Sequence, residues 1–327
     1  MHPDTTILRH FLGGPGILPM APEYLATSAI ICLNLEWWQK EPHPTTEIGI
    51  AEFFPSTTGP SMHAANHLSN IRIAHARIMP HAHLENQFSG AGKAEDLFYF
   101  GTTKYITLSS ARDILTNTLL RTNTAGQKQP IILLLHGAEA KLAHLKNKLG
   151  VDVAGLGTVV KILDTQTLAK QANIPAQKGA MISLADLSRH FNIAPVNHHN
   201  AGNAAAYTIM CGILATLKHE IYGKYLPATG LSQVPPTTIL GRSMGDVVGS
   251  VMRANRNAPV VPWGTEVFCT RCDGLDHLVG MCMARVLCEE CLGSGDPRKV
   301  RAARTHKVEK CVFRVRGDGG GAMDLSN

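Results

Sequence analysis

Six of the eight cysteines lie between positions 269 and 311, together with two histidines at the spacing of metal ligands. The first set follows C-x2-C-x4-H-x4-C and comprises Cys269, Cys272, His277 and Cys282. The second set follows C-x2-C-x14-H-x4-C and comprises Cys288, Cys291, His306 and Cys311. Zinc prefers four nitrogen and sulfur donors in a tetrahedron, and each set supplies three thiolates and one imidazole. The sequence therefore predicts two structural Zn²⁺ ions.

The eight ligands can be paired in two ways. Each zinc can take four consecutive ligands, or the first and third pairs can share one ion in a cross-brace while the second and fourth share the other. Sequential pairing is the favoured prediction, and the cross-brace stays open. A module of this size has too little apolar core to fold alone, so metal binding would supply its folding free energy.

A second group of polar residues ends an apolar, strand-prone segment at residues 28–35. Asn34 and Glu36 are two residues apart, so their side chains share one face of a strand. Two acidic residues at that spacing could hold a divalent cation, but the first member here is an amide. A second strand-prone segment, residues 46–53, follows directly.

Four parts of this region resemble the motifs of DEDDh exonuclease-like domains, in a fungal branch of that family. They are residues 34–38 with 46–51, 135–142, 162–166 and 199–208. The last is the most specific, and the resemblance extends over about residues 28–219. It implies a ribonuclease H-like α/β fold, in which a mixed β-sheet is flanked by helices.

The resemblance also maps the family's functional residues onto this chain. The four metal-binding carboxylates fall on Asn34, Glu36, Lys141 and Ala204, and the general-base histidine falls on His199. Two-metal cleavage needs anionic oxygens around two cations about 3.5–4 Å apart. The charges of Glu36 and Lys141 cancel, so Mg²⁺ or Mn²⁺ is not expected. The interpretation is a catalytically inactive exonuclease-like domain.

Two nearby carboxylates could replace the lost ligands. Glu139 is two residues from Lys141 on a predicted helix and so points elsewhere. Asp164 is predicted instead to cap the helix that opens at Thr165, a position that aspartate favours.

The basic residues near the C-terminus are candidates for contacting phosphate. Residues 298–316 contain eight basic residues and one acidic residue, Glu309. The basic residues are Arg298, Lys299, Arg301, Arg304, Lys307, Lys310, Arg314 and Arg316. We expect nucleic-acid contacts chiefly from Arg298, Lys299, Arg301 and Arg304, and secondarily from Lys141 in the old cleft. The alternative is a solvated loop and strand face. Zinc knuckles often stack RNA bases on aromatic residues, which are missing at Thr270 and Leu278.

The favoured hypothesis is binding of nucleic acid, single-stranded RNA more than DNA, without cleavage. One alternative is a protein-interaction scaffold that uses both modules as docking surfaces within a protein complex. Another is a residual metal-dependent 3′-to-5′ exonuclease. The sequence leaves the oligomeric state unknown.

Composition narrows the class of protein. The chain has 327 residues, a hydrophobic fraction of 44% and a formal charge of +6. Its length favours about two domains. No apolar run approaches the roughly 20 residues that span a membrane, and no secretory signal is evident. Clustered cysteines favour metal over disulfides, hence a reducing intracellular compartment, nuclear or cytoplasmic.

The order of elements predicts a meander of strands followed by alternating helices and strands. Strands are predicted at 28–35, 46–54, 70–79, 130–135 and 158–163. Helices are predicted at 109–122, 138–149, 183–191 and 203–222, with Ser109 capping the first helix.

The predicted organisation is an arm at 1–27, the exonuclease-like domain at 28–225, a proline-rich linker at 226–263, a double zinc module at 264–316 and a disordered tail at 317–327.

The remaining histidines and cysteines lack ligand spacing. Five histidines are predicted to lie mostly at the surface: His63, His67, His75, His81 and His83. His144 and His190 are expected to be partly buried, and Cys32 and Cys211 are expected to be core thiols.

Overall fold

A computed structural model describes residues 2–13, 18, 21–53, 67–86, 88, 92–123, 126–176, 181–217, 238–239 and 242–315. Within these ranges, the chain contains no helix that is both long and apolar enough to cross a membrane. Several predictions lie outside the described residues: the C-terminal tail, Arg316, His63, most of the linker at 226–241 and the end of the helix predicted to reach 222.

A six-stranded mixed sheet forms the centre of the first domain. Its strands are β1 (Ala29–Trp37), β2 (Thr45–Phe53), β3 (Ile71–Ile78), β4 (Lys104–Ile106), β5 (Ile131–Leu135) and β6 (Val159–Asp164). Their order is β4-β3-β2-β1-β5-β6. The first three strands are antiparallel neighbours, as the predicted meander requires. Strands β5 and β6 extend the sheet in parallel from β1, and the short β4, which was not predicted, pairs with β3 in parallel.

Helices cover both faces of this sheet. In chain order they are α1 (Asp4–Phe11), α2 (Tyr24–Thr27), α3 (Leu108–Leu119), α4 (Ala138–Leu149), α5 (Thr165–Gln171), α6 (Leu184–His190) and α7 (Ala201–Thr216). One apolar core lies between the sheet and α1, α5, α6 and α7, and a second lies between the sheet and α3 and α4. The mixed sheet with helices on both faces confirms the predicted ribonuclease H-like class.

Strand β1 is buried on both faces, which explains its continuous apolar sequence. Ile30 and Cys32 face the first core, whereas Ile31, Leu33 and Leu35 face the second. Alternate side chains of a strand point to opposite faces. A central strand therefore needs apolar residues at every position until it reaches the site at its end.

Helix α7 lies unusually close to the sheet, because glycines stand where a side chain would collide. A Cβ at Gly49 of β2 would overlap the Ala201 carbonyl, and a Cβ at Gly202 would meet Phe98 and His75. All sixteen residues of α7 are buried. This close approach fixes the segment at residues 199–208 against the sheet.

Helix α1 lies within the segment predicted as an arm. Leu8 and Leu12 are buried, and the helix packs against α7. Asp4 forms an ion pair with Lys161 at 2.8 Å. The sequence contained the signal, since Ile7, Leu8, Phe11 and Leu12 have helical spacing, but the following glycine and proline residues dominated the prediction.

Two predicted helix starts shift because another residue provides the cap. Thr107, rather than Ser109, accepts a hydrogen bond from the Ser110 amide and opens α3. Asn200 caps α7, which therefore starts at Ala201 instead of residue 203. Both capping side chains are of the types that favour this position.

The second half of the predicted linker is folded onto the first domain. A short hairpin, β7 (Thr238–Ile239) and β8 (Arg242–Ser243), precedes α8 (Met244–Arg256). Asn255 accepts from the Ile73 amide at 2.9 Å and donates to the Ile71 carbonyl at 3.0 Å. These bonds attach α8 to β3. Short helices α9 (Glu289–Leu292), α10 (Pro297–Ala302) and α11 (Val312–Val315) follow in the cysteine-rich module.

The prediction of surface histidines was wrong for three residues. His67, His75 and His81 are buried. His75 contacts Glu47 and Thr103, and His81 donates to the Thr45 carbonyl at 2.7 Å. Their partners are distant in sequence, so no local spacing could have revealed them. Cys32 and Cys211 are buried as predicted, and His190 is partly buried as predicted, whereas His144 is more fully buried than expected.

Candidate nucleic-acid cleft and metal centres

Asn34 and Glu36 lie towards the end of β1, next to Lys141 and the segment before α7, and we call this group of residues the cleft. The Asn34 amide donates to Glu36 Oε1 at 3.4 Å. The Asn86 amide donates to Glu36 Oε2 at 2.8 Å and to the His199 carbonyl at 3.4 Å. Asn86 therefore joins the segments at residues 34–38 and 199–208.

Lys141 extends from α4 into this cleft. Its amine donates to the His136 carbonyl. Burial lowers the pKa of Lys141, while Glu36, when it is ionised, and Asp164 act in the opposite direction. The structure thus places an amine beside Glu36, at the position where the resemblance places a metal-binding carboxylate.

Glu36 is the one acidic residue among the four mapped positions, and its environment disfavours its charge. Burial raises its pKa to about 8, and the neighbouring charge of Glu47 acts in the same direction. Lys141 and the amides of Asn34 and Asn86 offset only part of this effect. Near neutral pH the protonated carboxyl is therefore the favoured form.

The other two mapped residues differ in exposure. Ala204 is buried in the apolar core on α7. His199 lies at the cleft, with its ring 4.1 Å from that of His198 and 5.5 Å from that of Phe88. Burial, and then the charge of His198, lower the pKa of His199. The histidine is therefore a neutral imidazole near neutral pH.

Asn86 and Phe88 are cleft residues that the sequence analysis missed. Asn86 is buried, and its Oδ1 accepts from the Phe88 amide at 3.0 Å and from Gln39 at 2.6 Å. Phe88 is 64% exposed beside His199. Neither residue belongs to a motif, so only the folded chain brings them to Glu36.

Asp164 caps a helix, as predicted, and contributes to a second helix start. It accepts from the Gln166 amide at 2.8 Å at the start of α5. It also accepts from the Ala138 amide at 2.7 Å at the start of α4. Glu139 is exposed on α4. Asp164 is therefore engaged with two helix N-termini, where negative charge is stabilised.

A buried ionic network holds α7 in place behind the cleft. Glu47 Oε2 accepts from the Ala201 amide at 3.0 Å and lies 3.0 Å from His75 Nε2. Arg77 lies 3.6 Å from the same carboxylate and 3.7 Å from Glu95. Burial alone would raise the pKa of Glu47, but the hydrogen bond and charge of His75, together with Arg77, lower it. The network orients the segment that carries His199.

The eight predicted metal ligands form two clusters. Cys269, Cys272, His277 and Cys282 form one, and Cys288, Cys291, His306 and Cys311 form the other. Within each cluster, the ligand atoms all lie within 4.8 Å of one another. This grouping is the sequential one, so the cross-brace alternative was wrong.

The cluster dimensions fit a small tetrahedral ion. Cys272 Sγ lies 3.3 Å from His277 Nε2, and Cys291 Sγ lies 3.6 Å from His306 Nε2 and 3.4 Å from Cys311 Sγ. Zinc–ligand bonds of about 2.0–2.3 Å give tetrahedral edges of roughly 3.5–3.8 Å. Three thiolates and one imidazole at these distances could hold zinc in each cluster.

Two lysines of the basic run connect the clusters and are not free for a ligand. Lys307 and Lys310 lie 3.0 and 2.5 Å from the Asp273 carboxylate, which follows Cys272. Lys310 is buried, donates to the Thr270 carbonyl at 2.8 Å and lies 4.9 Å from the Phe268 ring centre. Their role is therefore to join the two halves of the module.

Arg298, Arg301 and Arg304 are exposed, as is Arg314, which lies 3.7 Å from Glu290. The first three are spaced three residues apart along α10 and the turn that follows it. Lys299 lies over the Phe313 ring at 5.2 Å. The predicted loop and strand face is thus a short helix with an arginine edge.

The cysteine-rich module contacts the edge of the sheet. Tyr105 of β4 exchanges two backbone hydrogen bonds with Thr265, at 2.7 and 3.0 Å. Lys104 pairs with Glu266 at 2.7 Å, and the Tyr105 ring lies 5.4 Å from Phe268. These contacts join the module to the first domain.

The domain has a mixed sheet, a cleft at the end of its central strand, and the helix α7, which is capped by Asn200 and begins within the matching segment at residues 199–208. These features define a ribonuclease H-type nuclease domain. The chain belongs to the DEDDh_C family, described as DNA polymerase III subunit epsilon-like, C-terminal domain, whose sequence profile matches residues 29–214. The matched range contains all five mapped positions and ends before the cysteine-rich module. No curated protein matches the chain.

The raised pKa of Glu36 predicts how its replacement changes stability with pH. Protonated Glu36 stabilises the folded state, because the folded chain binds the proton more tightly (pKa about 8) than the unfolded chain does (pKa 4.5). This stabilisation is complete below pH 4.5 and is lost as the pH rises to about 8. Relative to wild type, Glu36→Gln should gain about 2 kcal/mol of unfolding free energy between about pH 5 and pH 9. This is less than the full shift implies, because Glu36 is half-buried.

Urea unfolding of both proteins at the two pH values measures this gain. The control is Glu139→Gln, which removes an exposed carboxylate from α4 and should show the same difference from wild type at both pH values. A Glu36→Gln protein that instead loses stability relative to wild type as pH rises would show that Glu36 functions as a buried anion.

Proposed function

We propose that this chain binds nucleic acid, single-stranded RNA in preference to DNA, through an exonuclease-like domain that does not cleave it. The observation that carries the proposal is the Lys141 side chain, which lies next to Glu36 where the resemblance expects a metal-binding carboxylate. Family membership supports a nucleic-acid ligand. The charges of the cleft support retention rather than hydrolysis.

The residues of the cleft do not fit the Mg²⁺ or Mn²⁺ on which two-metal nucleases depend. Magnesium requires hard anionic oxygens. Of the four mapped positions, Asn34 offers an amide, Lys141 an amine and Ala204 no ligand atom. The pKa of about 8 leaves Glu36 largely protonated near neutral pH. No step of hydrolysis is therefore assigned to this cleft.

The same residues suit a phosphate group. Lys141 offers an amine whose charged form a bound phosphate would favour. The amides of Asn34 and Asn86 are hydrogen-bond donors directed at Glu36. With Glu36 protonated, a phosphate oxygen can replace it as their acceptor. Phe88 exposes an aromatic ring beside His199, and such rings stack on the bases of single strands.

The arginine edge of the cysteine-rich module offers a second phosphate-binding surface. Arg298, Arg301 and Arg304 are exposed along α10 and the turn that follows it, with Lys299 among them. Each metal centre would combine three thiolates with one Zn²⁺ and so carry a negative charge. The positive potential is therefore local to this edge. The preference for RNA over DNA rests only on the ligand spacing of the first cluster, which resembles that of RNA-binding zinc knuckles, and assigns no base contact to its loop.

Binding should weaken steeply with salt if these residues neutralise phosphates. Replacing Arg298, Lys299, Arg301 and Arg304 by alanine should weaken binding of a labelled single-stranded RNA and reduce the slope of log affinity against log salt by roughly 0.7 for each lost phosphate contact. Fluorescence anisotropy at several salt concentrations measures both quantities. The matched control replaces Lys146 and Lys148, which are exposed on α4, and should leave the slope unchanged.

The same RNA should keep its length during incubation with excess Mn²⁺. Shortening from the 3′ end that disappears in Glu36→Gln would contradict the proposal and favour a residual exonuclease. Absence of salt-dependent binding at low ionic strength would also overturn it. A protein scaffold would then remain, since apolar partner contacts persist in high salt.

We further propose that the two cysteine-rich clusters each hold one structural Zn²⁺. Elemental analysis should find about two zinc ions per chain, and Cys272→Ser and Cys291→Ser should each remove one. Chelation should unfold residues 264–315 and leave the sheet domain folded, because only the module depends on metal for its core. Zinc content near zero, with freely titratable thiols in the folded protein, would refute this assignment.

A further inference from the structure

The loop of the first metal cluster exposes four large apolar side chains, which we call the knuckle patch. They are Leu275, Leu278, Met281 and Met283, with exposed fractions of 60%, 51%, 77% and 93%. Single exposed apolar residues are ordinary on protein surfaces, but a group of them marks an interaction site. Four within nine residues require an explanation.

The cluster geometry keeps these side chains together. The ligand atoms of His277 and Cys282 lie within 4.8 Å of each other, so the intervening loop is closed. The Met281 amide donates to the Leu278 carbonyl at 2.9 Å across that loop. Met283 directly follows Cys282. The loop has little core beneath it, so these side chains have no apolar interior to enter.

The charges around the knuckle patch are unequal. Arg271 donates to the Cys282 carbonyl at 3.3 Å, which places its guanidinium beside the Met283 edge. Arg285 is exposed two residues beyond Met283. At the other edge, Asp276 contacts His277 at 2.7 Å. The methionine edge is therefore basic.

We propose that the knuckle patch docks a partner protein, through a short segment that presents large apolar side chains next to carboxylates. Methionine side chains adapt to different apolar partners, which suits such a surface. The patch contains no aromatic ring to stack on a base, and the carboxylate of Asp276 at its edge would repel phosphate. The basic rim beside Met283 selects an acidic segment instead.

Peptide display tests this proposal on the full-length, zinc-loaded chain. Random peptides selected on it should become enriched in Leu, Phe or Met beside Asp or Glu. A synthetic peptide of the enriched sequence should bind in both low and high salt. Replacing Met281 and Met283 by serine should weaken that binding at least tenfold, because both side chains lose their apolar contacts. The variant must keep the zinc content of wild type.

The matched control replaces Met181 and Val260 by serine, since these residues are 58% and 59% exposed elsewhere on the chain. It should bind the peptide as wild type does.

No enrichment, enrichment of basic peptides, or equal binding by the patch variant would overturn the proposal. So would a dimer that the patch substitutions dissociate, because the patch would then bind a second copy. Loss of RNA affinity in the patch variant would assign the surface to nucleic acid. None of these variants alters the residues proposed to hold RNA, so the two proposals fail independently.

Discussion

The carboxylate of Glu47 is the constraint on which the arrangement of the cleft depends. It is fully buried, accepts the first amide of α7 and contacts His75 on the neighbouring strand. A buried carboxylate without such partners would cost several kcal/mol. The paired one instead fixes the helix start to the sheet. Because Gly49 and Gly202 allow close approach at the same place, His199 and Asn86 are brought to the end of β1.

The cleft keeps this geometry while its charge differs from that of a two-metal site. Lys141 places an amine where the resemblance places a carboxylate, and Glu36 is held in an environment that favours its protonated form. Neither side chain offers the anionic oxygen that a divalent cation prefers, which is the basis of the proposal that the cleft binds phosphate without hydrolysis. The cysteine-rich module adds its own surfaces through the contact with β4.

Sequence patterns predicted the parts of the structure whose signals are local. The meander, α4, the Asp164 cap and both metal clusters follow from periodicity, capping chemistry and ligand spacing. Asn86, Phe88 and the buried His75 did not, because their partners lie 28 to 113 residues away and only the fold brings them together. Lys310 looked like part of a solvated basic run, but it is buried against Asp273 and Phe268. Similar residue types can therefore have opposite roles within one run.

Binding of Mn²⁺ to the cleft is the most direct test of this account. Electron paramagnetic resonance reports free Mn²⁺, so titration of the zinc-loaded chain counts the ions bound. The account predicts no Mn²⁺ site that depends on Glu36 in the wild-type chain, and a new one in Lys141→Asp, where a carboxylate replaces the amine. A wild-type chain that binds Mn²⁺ and loses it in Glu36→Gln would contradict the central claim.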